Sequence, residues 1–267
     1  MVAKNKRKSR KPSDRRQSKF TSRHPPSVGL WLYGRHAVIA ALKNENRPLR
    51  KVLATKNALE WMQRENAPPE ILKKIAVTTT EEIDGAVSKG AIHQGVAAEV
   101  DNLPRTRLKD ACAKPHPEAP VVVLDQITDP QNIGAIFRSA AAFGARAIIV
   151  QDRRTPPLAG ALAKAAAGAV ETLPCVSMVN VSRAIEALQE LGYHCAGLAG
   201  EATNEISALP RQTPIALVMG AEGDGLRKLV SQTCDELYKI PIARGVESLN
   251  VSNAAAIALY ESITSNH

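Results

Sequence analysis

Aromatic residues make up only 3% of this 267-residue chain, too few for an aromatic sheet platform that stacks unpaired bases. Cysteine is sparse too. Cys112, Cys175, Cys195 and Cys234 lie far apart, with no CxxC pair and no Cys/His cluster. That pattern excludes a disulfide framework and a zinc site and suits free thiols in a reducing cytoplasm. No metal is expected. No apolar run approaches the length of a membrane span, so a membrane partner is not expected either. Internal repeats are absent.

What is present is a 44% hydrophobic content, enough for a substantial core, on a chain long enough for two ordinary domains. The net charge of +9 is unevenly placed. Residues 1–27 hold ten Lys/Arg against the single acid Asp14, and the remaining 240 residues are balanced. A basic arm with so few apolar side chains cannot bury enough surface to fold alone. Its natural partner is a phosphate backbone. A solubilising tail and an organelle transit peptide are the competing readings, and Lys4 to Lys19 lacks the apolar face the latter needs.

From residue 28 to 100 the pattern is that of a small α/β domain. Strands are expected at Leu30–Tyr33, Val52–Ala54, Ile75–Val77 and His93–Val100, with helices through Ala37–Leu42, Ala58–Arg64 and from Thr79 onward. Residues 101–119 carry Pro104, Pro115 and Pro117 and read as a semi-rigid linker with a short helix at Arg107–Ala113. From 120 to 267 apolar strands alternate with helices: Val121–Leu124, Ala147–Val150, Leu173–Val176, His194–Gly197, Ile215–Met219 and Glu236–Ile240. Continuous apolar strands between helices imply a parallel sheet covered on both faces. Ligands of such sheets sit beyond the carboxyl ends of strands, which singles out the loops 125–132, 197–203, 220–225 and 241–249.

The contents of those loops narrow the chemistry. Asn132 is a plausible helix cap before Ile133, and Gly144 a helix stop. Arg138 stands among core-like neighbours, where a cation needs a partner, Asp125 or Asp129, or a polar pocket. Gly220-Ala221-Glu222-Gly223-Asp224-Gly225 is spaced GxxGxG rather than GxGxxG and carries two acids that would repel a pyrophosphate. Those features count against a nicotinamide-dependent oxidoreductase and suit a ligand that is neutral or cationic. Ser248 and Asn250 stand at the start of a final helix rich in small residues, Ala254 to Ala258.

Asn132-x-Gly134-Ala135-x-x-Arg138-Ser139-Ala140, Gly220-x-Glu222-x-x-Gly225-Leu226 and Ser248-Leu249-Asn250-Val251-Ser252-x-Ala254 occur in that order. Together they resemble the three motifs of the SpoU family of RNA 2′-O-ribose methyltransferases, within the SPOUT class. The match spans residues 121–262. Tyr33-Gly34-Arg35-His36-Ala37-Val38 and His93-Gln94-Gly95-Val96 resemble the substrate-binding domain of the 23S ribosomal RNA guanosine 2′-O-methyltransferase branch.

The resemblance implies an α/β fold: a parallel-sheet methyltransferase domain closed by a deep trefoil knot, preceded by a small α/β substrate-binding domain. It implies a cytoplasmic homodimer acting on 23S ribosomal RNA or a ribosome assembly intermediate, with S-adenosylmethionine as cofactor. The cofactor residues it points to are Ala196, Gly197, Gly220, Glu222, Ile240, Ser248, Leu249 and Asn250. The catalytic group would be Asn132, Arg138, Glu222, Ser248 and Asn250. Arginine is too basic to serve readily as a general base, so Arg138 is expected to anchor phosphate and steady the developing alkoxide. A tRNA ribose methyltransferase and a non-catalytic RNA-binding relative share the motifs or the fold and are the alternatives.

Overall fold

The structure, a computed structural model, describes residues 29–264; the basic arm expected at 1–27 lies outside them. The first unit runs β1 (Leu30–Tyr33), α1 (Arg35–Lys43), β2 (Leu49–Ala54), α2 (Lys56–Arg64), α3 (Pro69–Leu72), β3 (Ala76–Val77), α4 (Thr80–Ala86) and β4 (Val96–Val100). Its sheet has the order β1-β4-β2-β3, with β4 antiparallel to both neighbours and β2 parallel to β3. Thr55 and Thr79 cap α2 and α4 by accepting from the backbone N–H three residues on. The last strand starts at Val96 rather than His93, because Gln94 and Gly95 both take positive φ in a turn.

After α5 (Leu108–Cys112) come β5 (Val121–Leu124), α6 (Pro130–Ala142), β6 (Ala147–Gln151), α7 (Gly160–Ala165), β7 (Cys175–Met178), α8 (Val181–Glu190) and β8 (His194–Leu198). Then follow β9 (Asn204–Glu205), β10 (Ile215–Met219), α9 (Lys228–Thr233), β11 (Glu236–Lys239) and α10 (Val251–Thr264). The second sheet has the order β7-β6-β5-β10-β8-β11-β9, parallel at every pairing. Both faces are dry. Val122, Leu124, Ile148, Leu217 and Met219 face a core shared with α6 and α10, while Val121, Val123, Ile149 and Val218 face one shared with α8. Each fully buried aliphatic side chain contributes about 1.5–3 kcal/mol relative to exposure, so the strand alternation fixes which residue points to which layer.

Helix α6 carries the first motif and corrects two expectations. Its cap is Asp129, whose carboxylate accepts from the backbone N–H of Asn132 at 2.8 Å, and Pro130 occupies the first turn. Asn132 is therefore inside the helix, with its side chain free for other work. Ile133, Ile136, Phe137 and Ala140 form the buried stripe, and Arg138 falls off it onto an exposed face. Gly134 lets α7 come close: a Cβ there would lie 2.4 Å from the carbonyl oxygen of Leu162. The strand expected at Leu173–Val176 begins instead at Cys175, since Pro174 has no N–H to pair.

The two sheets are joined by more than a linker. Ala159 and Ala163 pack into the core of the first unit beside Val38 and Ala41. Arg47 and Glu171 form an ion pair at 2.6 Å with side chains 0% and 2% exposed. Arg47 Nη1 also donates to the carbonyl of Asp101, and Asn44 donates to the Glu171 carboxylate at 2.8 Å. Among the described residues no helix is long and apolar enough to cross a membrane.

Candidate active site at the ends of four neighbouring strands

The four loops singled out in the sequence follow β5, β8, β10 and β11, and the strand order makes these four strands neighbours. Leu124 is paired with Met219, Val218 with Gly197, and Gly197 with Leu237. Being parallel, the strands deliver all four loops to one edge of the sheet.

Two devices hold the edge in shape. Asp125, fully buried at the end of β5, accepts from Arg227 Nη2 at 2.6 Å and Nε at 2.9 Å, and from the Arg227 backbone N–H at 3.2 Å. The buried carboxylate is thus neutralised by Arg227, not by Arg138, and it ties the start of α9 to β5. The loop after β10 folds back on itself through a bond from Gly225 N–H to the Ala221 carbonyl, 3.0 Å. A side chain at Gly220 would collide with that return, since a Cβ would lie 2.1 Å from the Gly225 carbonyl carbon. Glycine is required there by the close approach of backbone to backbone.

That fold-back presents Glu222 to two other motifs. Its Oε1 accepts from Asn250 Nδ2 at 2.7 Å, from Asn132 Nδ2 at 3.1 Å and from the Val251 backbone N–H at 3.1 Å. Asn250 Nδ2 also donates to Asn132 Oδ1 at 2.9 Å, so the three side chains form a closed ring of contacts. Asn250 doubles as the cap of α10: its Oδ1 accepts from the backbone N–H of Ser252 at 3.0 Å and from the Ser252 hydroxyl at 2.5 Å. Glu222 Oε2 makes no hydrogen bond among the described residues, and it is the acceptor left for a ligand.

The remaining sequence candidates fall into three groups. Ser248 is exposed and Leu249 half-buried in the segment between β11 and α10, and neither makes a hydrogen bond among the described residues. Their backbone groups are open to a ligand. Ile240 packs partly against the core beneath them. Gly197 is buried at the end of β8, where a Cβ would meet Leu237 Cδ2 at 2.5 Å, and Ala196 sits wholly inside the strand with its methyl in the core. Arg138 stands apart. Six residues on from Asn132, it lies about 9 Å further along α6 and about 120° around it, facing α1 rather than Glu222. Sequence reasoning missed Arg227 and Arg47, whose partners lie 102 and 124 positions away with no periodicity to announce them.

An open loop with unpaired backbone groups, a carboxylate and glycine turns suits a polar, partly cationic ligand such as S-adenosylmethionine. No group of three or more potential metal ligands is present among the described residues.

Comparison with known proteins matches the same features. Residues 119–260 match the SpoU rRNA Methylase family, and residues 31–106 match the RNA 2′-O ribose methyltransferase substrate binding family. The chain is 41% identical over 240 residues to the 23S rRNA (guanosine-2′-O-)-methyltransferase RlmB of Vibrio cholerae, covering 87% of this chain and 95% of that protein. The RlmB of Xylella fastidiosa is 38% identical with the same coverage. Among solved structures, the SpoU methyltransferase AviRb of Streptomyces viridochromogenes in complex with the cofactor AdoMet superposes with a TM-score of 0.72 at 25% identity, covering 89% of this chain and 90% of that one. The motif order, the knit of Asn132, Glu222 and Asn250, and the match over more than half the chain place this protein in the SpoU rRNA Methylase family.

Proposed function

We propose that this chain transfers a methyl group from S-adenosylmethionine to the ribose 2′-hydroxyl of a guanosine in 23S ribosomal RNA, free or in a ribosome assembly intermediate. The observation that carries the reading is the hydrogen-bonded ring of Asn132, Glu222 and Asn250, which joins one residue from each motif. Support for the target comes from relatives named as 23S rRNA guanosine methyltransferases along nearly their full length.

When bound, the cofactor supplies an electrophilic methyl on a cationic sulfonium. In this reading Gly197, Gly220, Ile240 and residues 248–250 hold it, with Ala196 contributing only as strand backbone. Asn132 and Asn250 fix the Glu222 carboxylate, leaving Oε2 to accept from a ligand. Ser248, exposed between β11 and α10, contacts substrate or cofactor in the same reading. Arg138 anchors phosphate and stabilises negative charge growing on the ribose oxygen, a contribution of several kcal/mol in a preorganised site.

The domain limits 28–100, 101–119 and 120–267, the trefoil knot, the homodimer and a cytoplasmic setting belong to the same proposal. The return of segment 241–250 from β11 to Asn132 and Glu222 supports the knot. An exposed apolar stripe on α10, with Ile257 40% and Tyr260 55% exposed, supports a second copy. A partner copy would also supply an Arg138 to a site that its own helix turns it away from.

The test is methyl transfer from labelled S-adenosylmethionine to 23S ribosomal RNA and to tRNA, followed by mapping of the modified ribose. Label in a single 23S guanosine is expected. Label in tRNA alone would replace the target, and no label in either would leave an RNA-binding relative without catalysis.

A further inference from the structure

Helices α1 and α6 wall a groove of about 1000 Å³ on the seam between the two sheets. His36, Ile39, Ala40 and Lys43 line it from α1 at the spacing of a single helix face. Arg138 and Ala141 line it from α6, and the small residues 166–169 are its floor. The groove thereby brings Arg138 together with His36 from the Tyr33–Val38 motif, 102 positions earlier in the chain.

Its chemistry favours a polyanion. Glu171 touches the groove, but its carboxylate is engaged by Arg47 and Asn44. Glu45 is the other acid on the lining, set against Lys43, Arg138 and His36. Lys43 Nζ donates once, to the Glu65 carbonyl at 3.2 Å, leaving further donors outward. His36 is exposed and held edge-on to Trp61, 6.4 Å between ring centroids. Alanine and glycine on the floor give a small apolar molecule little to grip. They do let a sugar–phosphate chain lie close to the backbone.

We infer that this groove carries a stretch of the phosphodiester backbone of the substrate RNA, with Lys43 and His36 as phosphate contacts on the wall opposite Arg138. The inference rests on the proposed RNA reading. It adds a contact surface in the first unit that the motif ring does not touch.

The test uses the full chain and a 23S ribosomal RNA transcript. Fluorescence anisotropy across a salt series gives RNA affinity for wild type, Lys43→Glu, His36→Ala and the control Lys89→Glu, an exposed charge outside the groove. Lys43→Glu is expected to weaken RNA binding roughly five- to ten-fold and to flatten the log–log salt slope by about 0.7 to 0.9, one contact's share. His36→Ala is expected to weaken it less, and S-adenosylmethionine affinity and Lys89→Glu should match wild type. Amine footprinting of the unmutated protein should show Lys43, and not Lys89, protected by RNA. Equal affinities for Lys43→Glu and Lys89→Glu with Lys43 unprotected would overturn the groove. Wild type that binds RNA at Lys43 but transfers no methyl would overturn the methyltransferase reading and leave the groove standing.

Discussion

Glu222 Oε1 lies 2.7 Å from Asn250 Nδ2, although one residue belongs to the loop after β10 and the other caps α10, 28 positions on. One carboxylate oxygen thereby fixes the loop after β10 to the cap of α10, and through Asn132 to the first turn of α6.

Glu222→Ala removes the acceptor shared by Asn132, Asn250 and the Val251 N–H. Methyl transfer should fall by about two orders of magnitude or more, the loss typical of a preorganised polar group. Asn250→Ala should add a loss of helix stability of about 1 kcal/mol from the missing cap. Turnover assays and thermal melting of both variants check this, and wild-type turnover in both would remove the ring from the mechanism.

Arg138→Ala should abolish methyl transfer while cofactor affinity stays near wild type, and Arg138→Lys should restore little, because an ammonium lacks the guanidinium fork. Mixing Arg138→Ala with Glu222→Ala protein adds a second readout. If Arg138 acts across a dimer, mixed dimers regain activity that neither variant has alone. If it acts within its own chain, the mixture stays inactive.

Arg47 offers a test of how firmly the two sheets are docked. Truncating one partner of a buried ion pair leaves an uncompensated charge, which costs about 3–5 kcal/mol. Arg47→Ala should therefore lower the urea midpoint markedly, whereas Arg50→Ala, at an exposed pair with Asp101, should change it little.

Helix α6 shows how far the sequence was legible. The central strands β5, β6 and β10 could be read because both faces are buried and each is an almost continuous apolar run. β9 could not, being two polar residues, Asn204 and Glu205, paired only at the edge. α7 was hidden too, since Gly160–Ala165 offers no amphipathic pattern. Pro130 was the signal that would have placed the α6 cap at Asp129, and taking Asn132 for the cap concealed its reach to Glu222. Burial of Arg138 was inferred from its neighbours in sequence, yet 3.6-residue periodicity carries position 138 off the stripe defined by 133, 136, 137 and 140. Strand order, which alone makes the four loops neighbours, leaves no local trace.

The thiols give a pH prediction. Burial pushes Cys112 up to about 11 and Cys175 and Cys234 up to about 12, from an ordinary 9.0, and Cys195 rises as well. At pH 8 the native protein should react very slowly with a thiol reagent, and all four cysteines should react in urea. The unfolded chain loses these protons near pH 9 while the folded one keeps them. Stability is therefore fully present below that pH and falls as pH climbs toward 11–12.

Deleting residues 1–27 removes ten basic groups and leaves a chain of balanced charge. If half of them touch phosphate, the slope of log RNA affinity against log salt should flatten by roughly 3 to 5. Choice of target nucleotide should not change, because phosphate contacts carry no sequence information. Equal slopes for the full chain and for one starting at Val28 would mark the arm as an inert tail.

The bond from Asn250 back to Asn132 spans 118 positions, and this sets an order of events during synthesis. The strands β5, β8 and β10 are all made before Asn250 leaves the ribosome, and domains tend to form from the amino-terminal side as they emerge. A chain interrupted after β11 could complete its sheet while Glu222 still lacked its partner. Catalytic competence would arrive with the last helix, so an arrested or clipped chain should be silent in methyl transfer and markedly less stable to urea, because the sheet face that Val251, Ala255, Ala258 and Leu259 cover is left bare.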